Sequence, residues 1–293
     1  MWVGFAFGSA VFAGLTAVLA KIGVRNTDST LATAIRTVVV LVASCLMVLV
    51  VGSQSQLAHL SASTLWFLVL SGLATGASWL CYFRALQLGE VNRVAPVDRS
   101  SLLLTVVFAM VFLGETQHLE TRLPGLALIG VGTWLMATNG RAAEEQPGRQ
   151  PDAVPGQGWL PWAIGSAVFA ALTAILGKVG ISEVESNLGT AIRTVVVLVM
   201  AWLMVLVSGR RHRLRVPRRD LLFIVLSGLA TGASWLCYFR ALQEGPASVV
   251  VPIDKLSIVF TVAFSLFVLK ERLSGRSALG LALLVGGTLA MLA

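Results

Sequence analysis

The sequence predicts an all-α polytopic membrane protein of ten transmembrane helices, arranged as two antiparallel five-helix (inverted) repeats. Three observations carry this reading. Of 293 residues, 56% are hydrophobic and only 12% charged, about half the charged fraction of a soluble domain. Apolar runs long enough to cross a hydrocarbon core of about 30 Å follow one another along nearly the whole chain. The second half of the chain also rewrites the first. The first two observations exclude a soluble enzyme, a secreted disulfide scaffold and a disordered tail.

The repeat is literal in places. Thr33–Val42 and Thr190–Val199 both read TAIRTVVVLV, and Val69–Gln87 and Val225–Gln243 both read VLSGLATGASWLCYFRALQ. Lys21 corresponds to Lys178, Pro96 and Asp98 to Pro252 and Asp254, and Glu115 to Glu271. In the first copy the apolar segments cover 2–22, 31–52, 64–87, 93–113 and 122–139. In the second they cover 160–179, 188–208, 221–243, 247–269 and 277–292. Short turns rich in Gly, Ser and charge separate them, and the fifth segment of each copy is short and glycine-rich. The first segment is no signal peptide, because it lacks a basic start and its twin sits mid-chain. Domain bounds follow at 1–139 and 159–293. The intervening 140–158 holds three prolines and several charges, cannot bury a core, and reads as a flexible linker.

Five spans per copy is an odd number, so the second copy enters from the opposite side and the copies are related by inversion. That arrangement recurs in secondary transporters, with substrate held near the midplane. Loop charge sets the orientation. Gly209–Asp220 holds six arginines, and placing it inside leaves Arg122 as the one basic loop residue outside. Both termini of this multi-pass cell-membrane protein then face outward. The net charge of +8 belongs to this bias, since no soluble basic domain exists to bind nucleic acid.

Charges inside spans are costly and mark functional candidates. Each copy has the same set: Lys21, Arg36, Arg84, Asp98 and Arg99, matched by Lys178, Arg193, Arg240, Asp254 and Lys255. Lys21, Lys178, Arg99 and Lys255 also suit snorkelling at the interface. A single carboxylate beside several bases suggests gating pairs, Asp98 with Arg36 or Arg84, and Asp254 with Arg193 or Arg240. The net positive clusters favour a solute carrying an anionic group. Trp79 and Tyr82, with Trp235 and Tyr238, have spacing for lining a pocket or for plain helix packing. Pro96 and Pro252 either loosen the first turn of their helices or sit there harmlessly. Gly72 and Gly76, with Gly228 and Gly232, are spaced for close helix approach. The histidines (His59, His118, His212) fall between spans, the cysteines lack ligand spacing, and no phosphate-binding loop appears. No catalytic site, metal or cofactor is therefore expected.

The TAIRT…GLATGASWLCYFRALQ…VAPVDR pattern of each copy, with Gly114–Glu115 closing the fourth segment, resembles the EamA domain of the drug/metabolite transporter superfamily. The second copy reads VVPIDK and replaces the glycine with Lys270. The copies look closer to small single-domain EamA proteins than to diverged halves of ten-helix members. The resemblance implies a central cavity and transport of amino acids, metabolites or drugs, often outward. Members with two diverged halves are usually drawn with both termini inside; the loop charges here point outward. The expected activity is secondary transport of small solutes by alternating access. The rivals are a flippase for a lipid-linked or phosphorylated anion and a non-transporting membrane scaffold.

Overall fold

The computed structural model describes residues 1–24, 27–88, 94, 97, 100–116, 119–139, 158–207, 216–267 and 275–291. In the first copy the helices are α1 (Trp2–Gly23), α2 (Ser29–Val51), α3 (Ala62–Leu88), α4 (Ser101–Leu113) and α5 (Leu119–Asn139). A 3₁₀ helix, Ser53–His59, lies between α2 and α3. The second copy supplies α6 (Trp159–Gly180), α7 (Ser186–Val207), α8 (Arg218–Glu244), α9 (Ala247–Lys255), α10 (Ser257–Phe267) and α11 (Gly275–Ala290). Among the described residues there is no strand. Among the described residues six helices are long and apolar enough to cross a membrane: α1, α2, α3, α6, α7 and α8.

Local chemistry sets the helix ends. Asp28 accepts the N–H groups of Thr30 and Leu31 at the start of α2, and its counterpart Glu185 accepts those of Asn187 and Leu188 at the start of α7. These carboxylates satisfy amide groups that the helix leaves orphaned. Gly52 and Gly114 close α2 and α4 in the left-handed region, with φ of 76° and 66°, which only glycine enters without cost. The outer faces are apolar in matching register. Val42, Leu46 and Leu49 stand exposed on α2, and Val199, Leu203 and Leu206 on α7. Apolar surface on this scale suits lipid rather than water.

Each copy packs mainly against the other. α1 pairs with α8, α3 with α6, α5 with α11, and α2 with both α7 and α8. α1 and α8 run antiparallel: Ser9 meets Ser234, Thr16 meets Thr231, and Gly23 abuts Asp220 and Ile224. α3 and α6 repeat this, with Ser78 on Ser166, Ser71 on Thr173 and Leu68 on Gly180. α2 instead runs parallel to α8, and α3 parallel to α7. There Gly228 and Gly232 lie on Val39 and Ala43, while Gly72 and Gly76 lie on Val196 and Met200. A Cβ at Gly72 would come within 2.9 Å of the Arg193 carbonyl, so the close approach predicted from the spacing is present and needs glycine.

Two ends of the bundle follow from these pairings. At one, Gln243 Nε2 donates to the Ile181 and Val184 carbonyls after α6, and the Glu185 N–H donates to Gln56 of the 3₁₀ helix. At the other, Thr27 after α1 donates to Asp220 at the start of α8. α8 spans 27 residues, about 40 Å at 1.5 Å per residue, so these ends are far apart.

Candidate functional site

The fourth segment of the second copy is one continuous span in the sequence reading, but the structure divides it. α9 and α10 meet at Leu256, whose N–H donates to the Ile253 carbonyl (2.9 Å) and whose carbonyl receives the Val259 N–H (2.8 Å). These are tight i→i−3 bonds. In the first copy the residue equivalent to Leu256 is Ser100, just before α4, whose N–H and hydroxyl both donate to the Val97 carbonyl, at 3.1 and 2.6 Å. Pro252 lies inside α9, so the interruption falls four residues beyond the proline rather than at the first turn.

A cavity of about 320 Å³ opens between the α9–α10 joint and the start of α4. Ser101 at the start of α4, and Lys255 and Ser257 flanking the α9–α10 joint, line it with Thr133, Thr261 and Ala17. An adjoining cavity of about 240 Å³ shares Leu102 and Thr133. Four hydroxyls and one ammonium thus face a space otherwise walled by apolar side chains, which is the composition of a small-molecule site.

Next to α9 lies a buried polar cluster. Arg193, on α7, is the largest of the fully buried side chains and only 1% exposed. Its Nη2 donates to Thr75 (2.9 Å) and its Nε to Ser71 (3.3 Å). The guanidinium lies 4.2 Å from the Phe239 ring centroid and 5.1 Å from that of Trp235. A cation removed from water needs such compensation, and aromatic faces supply it. Asp254, on α9, accepts from Ser9 Oγ at 2.5 Å, and Ser234 donates to the Ser9 carbonyl at 3.1 Å. Asp254 and Arg193 are both within electrostatic reach of Tyr238.

At the end of the bundle where Gln243 reaches the α6–α7 turn, the two copies are pinned together. The Glu115 carboxylate accepts the Ala247 and Ser248 N–H groups (2.8 Å each) and the Ser248 hydroxyl (2.6 Å). Lys178 Nζ stands 3.2 Å from the same carboxylate and donates to the Gly245 carbonyl. Arg122, 6% exposed, donates to the Glu115 carbonyl at 2.7 Å. Glu115 lies in the turn after α4, outside the spans. Burial alone would raise its carboxyl, but the Ser248 bonds, the Lys178 ammonium and the Ala247 N–H together hold it below the usual carboxylate range.

A family model described as "EamA-like transporter family" matches residues 1–138 and 157–293. The chain belongs to the EamA-like transporter family. A curated relative, "Uncharacterized transporter in cobO 3'region" from Sinorhizobium sp., is 48% identical over 134 residues, 45% of this chain and 95% of its own. That relative is about the size of one copy. A solved structure named only "Crystal structure of protein" superposes over 100% of this chain and 99% of its own. Its TM-score is 0.77 at 19% identity, a likeness of fold alone.

This EamA transporter, a multi-pass membrane protein, distributes the residues singled out in its sequence unevenly. Arg193, Trp235, Tyr238 and Asp254 gather in the buried cluster, but as neighbours rather than as an Asp–Arg ion pair. The second aromatic face on Arg193 is Phe239, at i+4 from Trp235, while Tyr238 stacks edge-on against Phe239 at 5.1 Å. Arg240 bridges to Glu244 at 2.7 Å within its own helix. Arg36 is half-buried and Arg84 exposed. Trp79 packs against Leu31, Ala34, Ala201 and Val205, and Tyr82 against Ala85, Val94 and Ala163. Asp98, Arg99, Pro96 and the Lys21 side chain lie outside the described residues, so the first copy's proposed pair does too. Lys178 is placed with Glu115. The sequence reading missed Glu115, Arg122 and the cavity hydroxyls as site residues, although the Glu115–Glu271 and Lys21–Lys178 correspondences were a signal for the first.

Proposed function

We propose that this protein is a ten-helix secondary transporter built from inverted copies, residues 1–139 and 159–293 joined by the linker 140–158. It exports small metabolites such as amino acids or drugs by alternating access, across a cell membrane with both termini outside. The observation that carries the reading is the 320 Å³ cavity between the start of α4 and the α9–α10 joint. Interrupted helices meeting where two repeats adjoin are where secondary transporters hold substrate. Support for inversion comes from helix direction: α2 runs parallel to the third helix of the other copy, and α3 parallel to the second. The turns after α1 and α6, equivalent in the repeat, also lie at opposite ends of the bundle.

The cavity sits near the lower limit of ligand sites, about 300–1,000 Å³. That volume suits a metabolite better than a lipid-linked anion, and a scaffold would have no use for it. Lys255 on its wall favours a solute with an anionic group. Purified protein in liposomes, given a panel of neutral and acidic amino acids, tests this directly. Transport of at least one member above protein-free liposomes is expected. Ala17→Trp, which fills the cavity, should abolish it, and Lys255→Met should slow acidic solutes more than neutral ones. No transport of any member, or full transport by Ala17→Trp, overturns the reading.

A further inference from the structure

The start of α9 has no cap of its own. Pro246 occupies the cap position and offers no side-chain acceptor to the first amides of the helix. Those amides would be orphaned and buried, since Ala247 and Ser248 are both 0% exposed. The acceptor arrives instead from the other copy as Glu115, delivered by the left-handed turn at Gly114. Lys178, from the end of α6, balances its charge, and Arg122 fixes the backbone that carries it. One carboxylate therefore joins the turns after α4, α6 and α8. Behind it Val249, Val250 and Val251 are all buried, so this end of α9 is tightly packed. The opposite end of the same nine-residue helix carries Asp254 into the polar cluster and Lys255 to the cavity wall.

From this geometry, and resting on the transporter reading above, we infer that Glu115 is the latch of one mouth: with Lys178 it holds α9 closed across the two copies, and each cycle must release it. Four contacts converge on one carboxylate and three of them end on α9, so α9 cannot tilt away while they persist. Glu115 acts through α9 and touches no solute, which makes it a positioning residue.

The test reads the mouth rather than the transport. In a background with Cys45, Cys81 and Cys237 replaced by serine, Val249→Cys places a thiol directly behind the latch. Its rate of labelling by a membrane-impermeant maleimide is measured in liposomes without solute. Glu115→Gln should raise that rate at least fivefold and shift the dependence of transport on solute concentration, while Glu115→Asp should lie between. Should Glu115→Gln fail to fold, Ser248→Ala, which removes the hydroxyl bond from α9 to the carboxylate, carries an expectation of the same sign. Unchanged labelling in the folded variants overturns the latch. Faster labelling in a protein that transports no panel member would leave the latch standing and overturn the transporter reading instead.

Discussion

Arg36 and Arg193 stand in identical ten-residue strings, yet they occupy different environments. Arg193 is sealed between two hydroxyls and two aromatic faces, while Arg36 is half-buried. The helices they pack against, α8 and α3, share nineteen consecutive residues, so the difference originates outside the duplicated strings. One source is visible at the contact itself. Gly232 of α8 faces Ala43, whereas Gly76 of α3 faces Met200, the counterpart of Ala43. The hydroxyl clamps are shared: Ser71 and Thr75 bond Thr173 as Ser227 and Thr231 bond Thr16. Among the described contacts only the Ser71–Thr75 clamp of the first copy also holds an arginine, Arg193 of the second.

The largest effect should come from breaking this asymmetry at Arg193. An ammonium cannot reach two hydroxyls while lying flat on aromatic faces, so Arg193→Lys should lose at least tenfold in initial solute exchange. Arg36→Lys should lose severalfold less, and equal losses would deny that the two sites differ.

A smaller effect is expected at Glu115. Its carboxyl is held below the ordinary value of 4.5, so its stabilisation is complete above that pH and fades as pH falls through the lower folded value. The charged groups facing it are Lys178 and, through the backbone, Arg122. Hydrogen bonds to a charged group contribute about 1.5–3 kcal/mol. Thermal unfolding of the detergent-solubilised protein should thus show an acid-side loss that Glu115→Gln removes. At neutral pH the latch stays charged, so protons do not release it.

The smallest effect sharpens the comparison at the helix contacts. Gly76→Ala places a Cβ 2.6 Å from Met200, and Gly232→Ala places one 3.2 Å from Ala43. Overpacking of the first kind costs about 1–3 kcal/mol. Denaturation of the two variants should show Gly76→Ala as the more destabilised, and the reverse order would contradict the tighter α3–α7 seam.

Much of this was legible in the sequence because it depends on local pattern. Hydropathy located the long helices α1, α2, α3, α6, α7 and α8 to within a few residues, and glycine spacing marked the close contacts at Gly72 and Gly228. Embedded charge pointed to Arg193 and Asp254. What escaped depends on contacts between residues far apart in the chain. Nothing at Leu256 signals a joint, since it is neither Gly nor Pro. The cap on α9 comes from a residue 132 positions away. In this structure hydroxyls and aromatic faces hold Arg193 and Ser9 holds Asp254, partners that lie far away in the chain. Helical spacing put Trp235 and Tyr238 on one face, whereas the guanidinium rests on Trp235 and Phe239, one residue further round.

The exchange of helix partners between copies has a consequence for assembly. α1, α3, α5 and the start of α9 find their packing or their capping acceptor in the opposite copy, so neither half alone buries its own contact surfaces. Joining them in one polypeptide replaces a dilution-sensitive encounter between two molecules with an encounter at a fixed effective concentration. It also frees each half to drift in sequence from the other, because pairing no longer demands two identical chains.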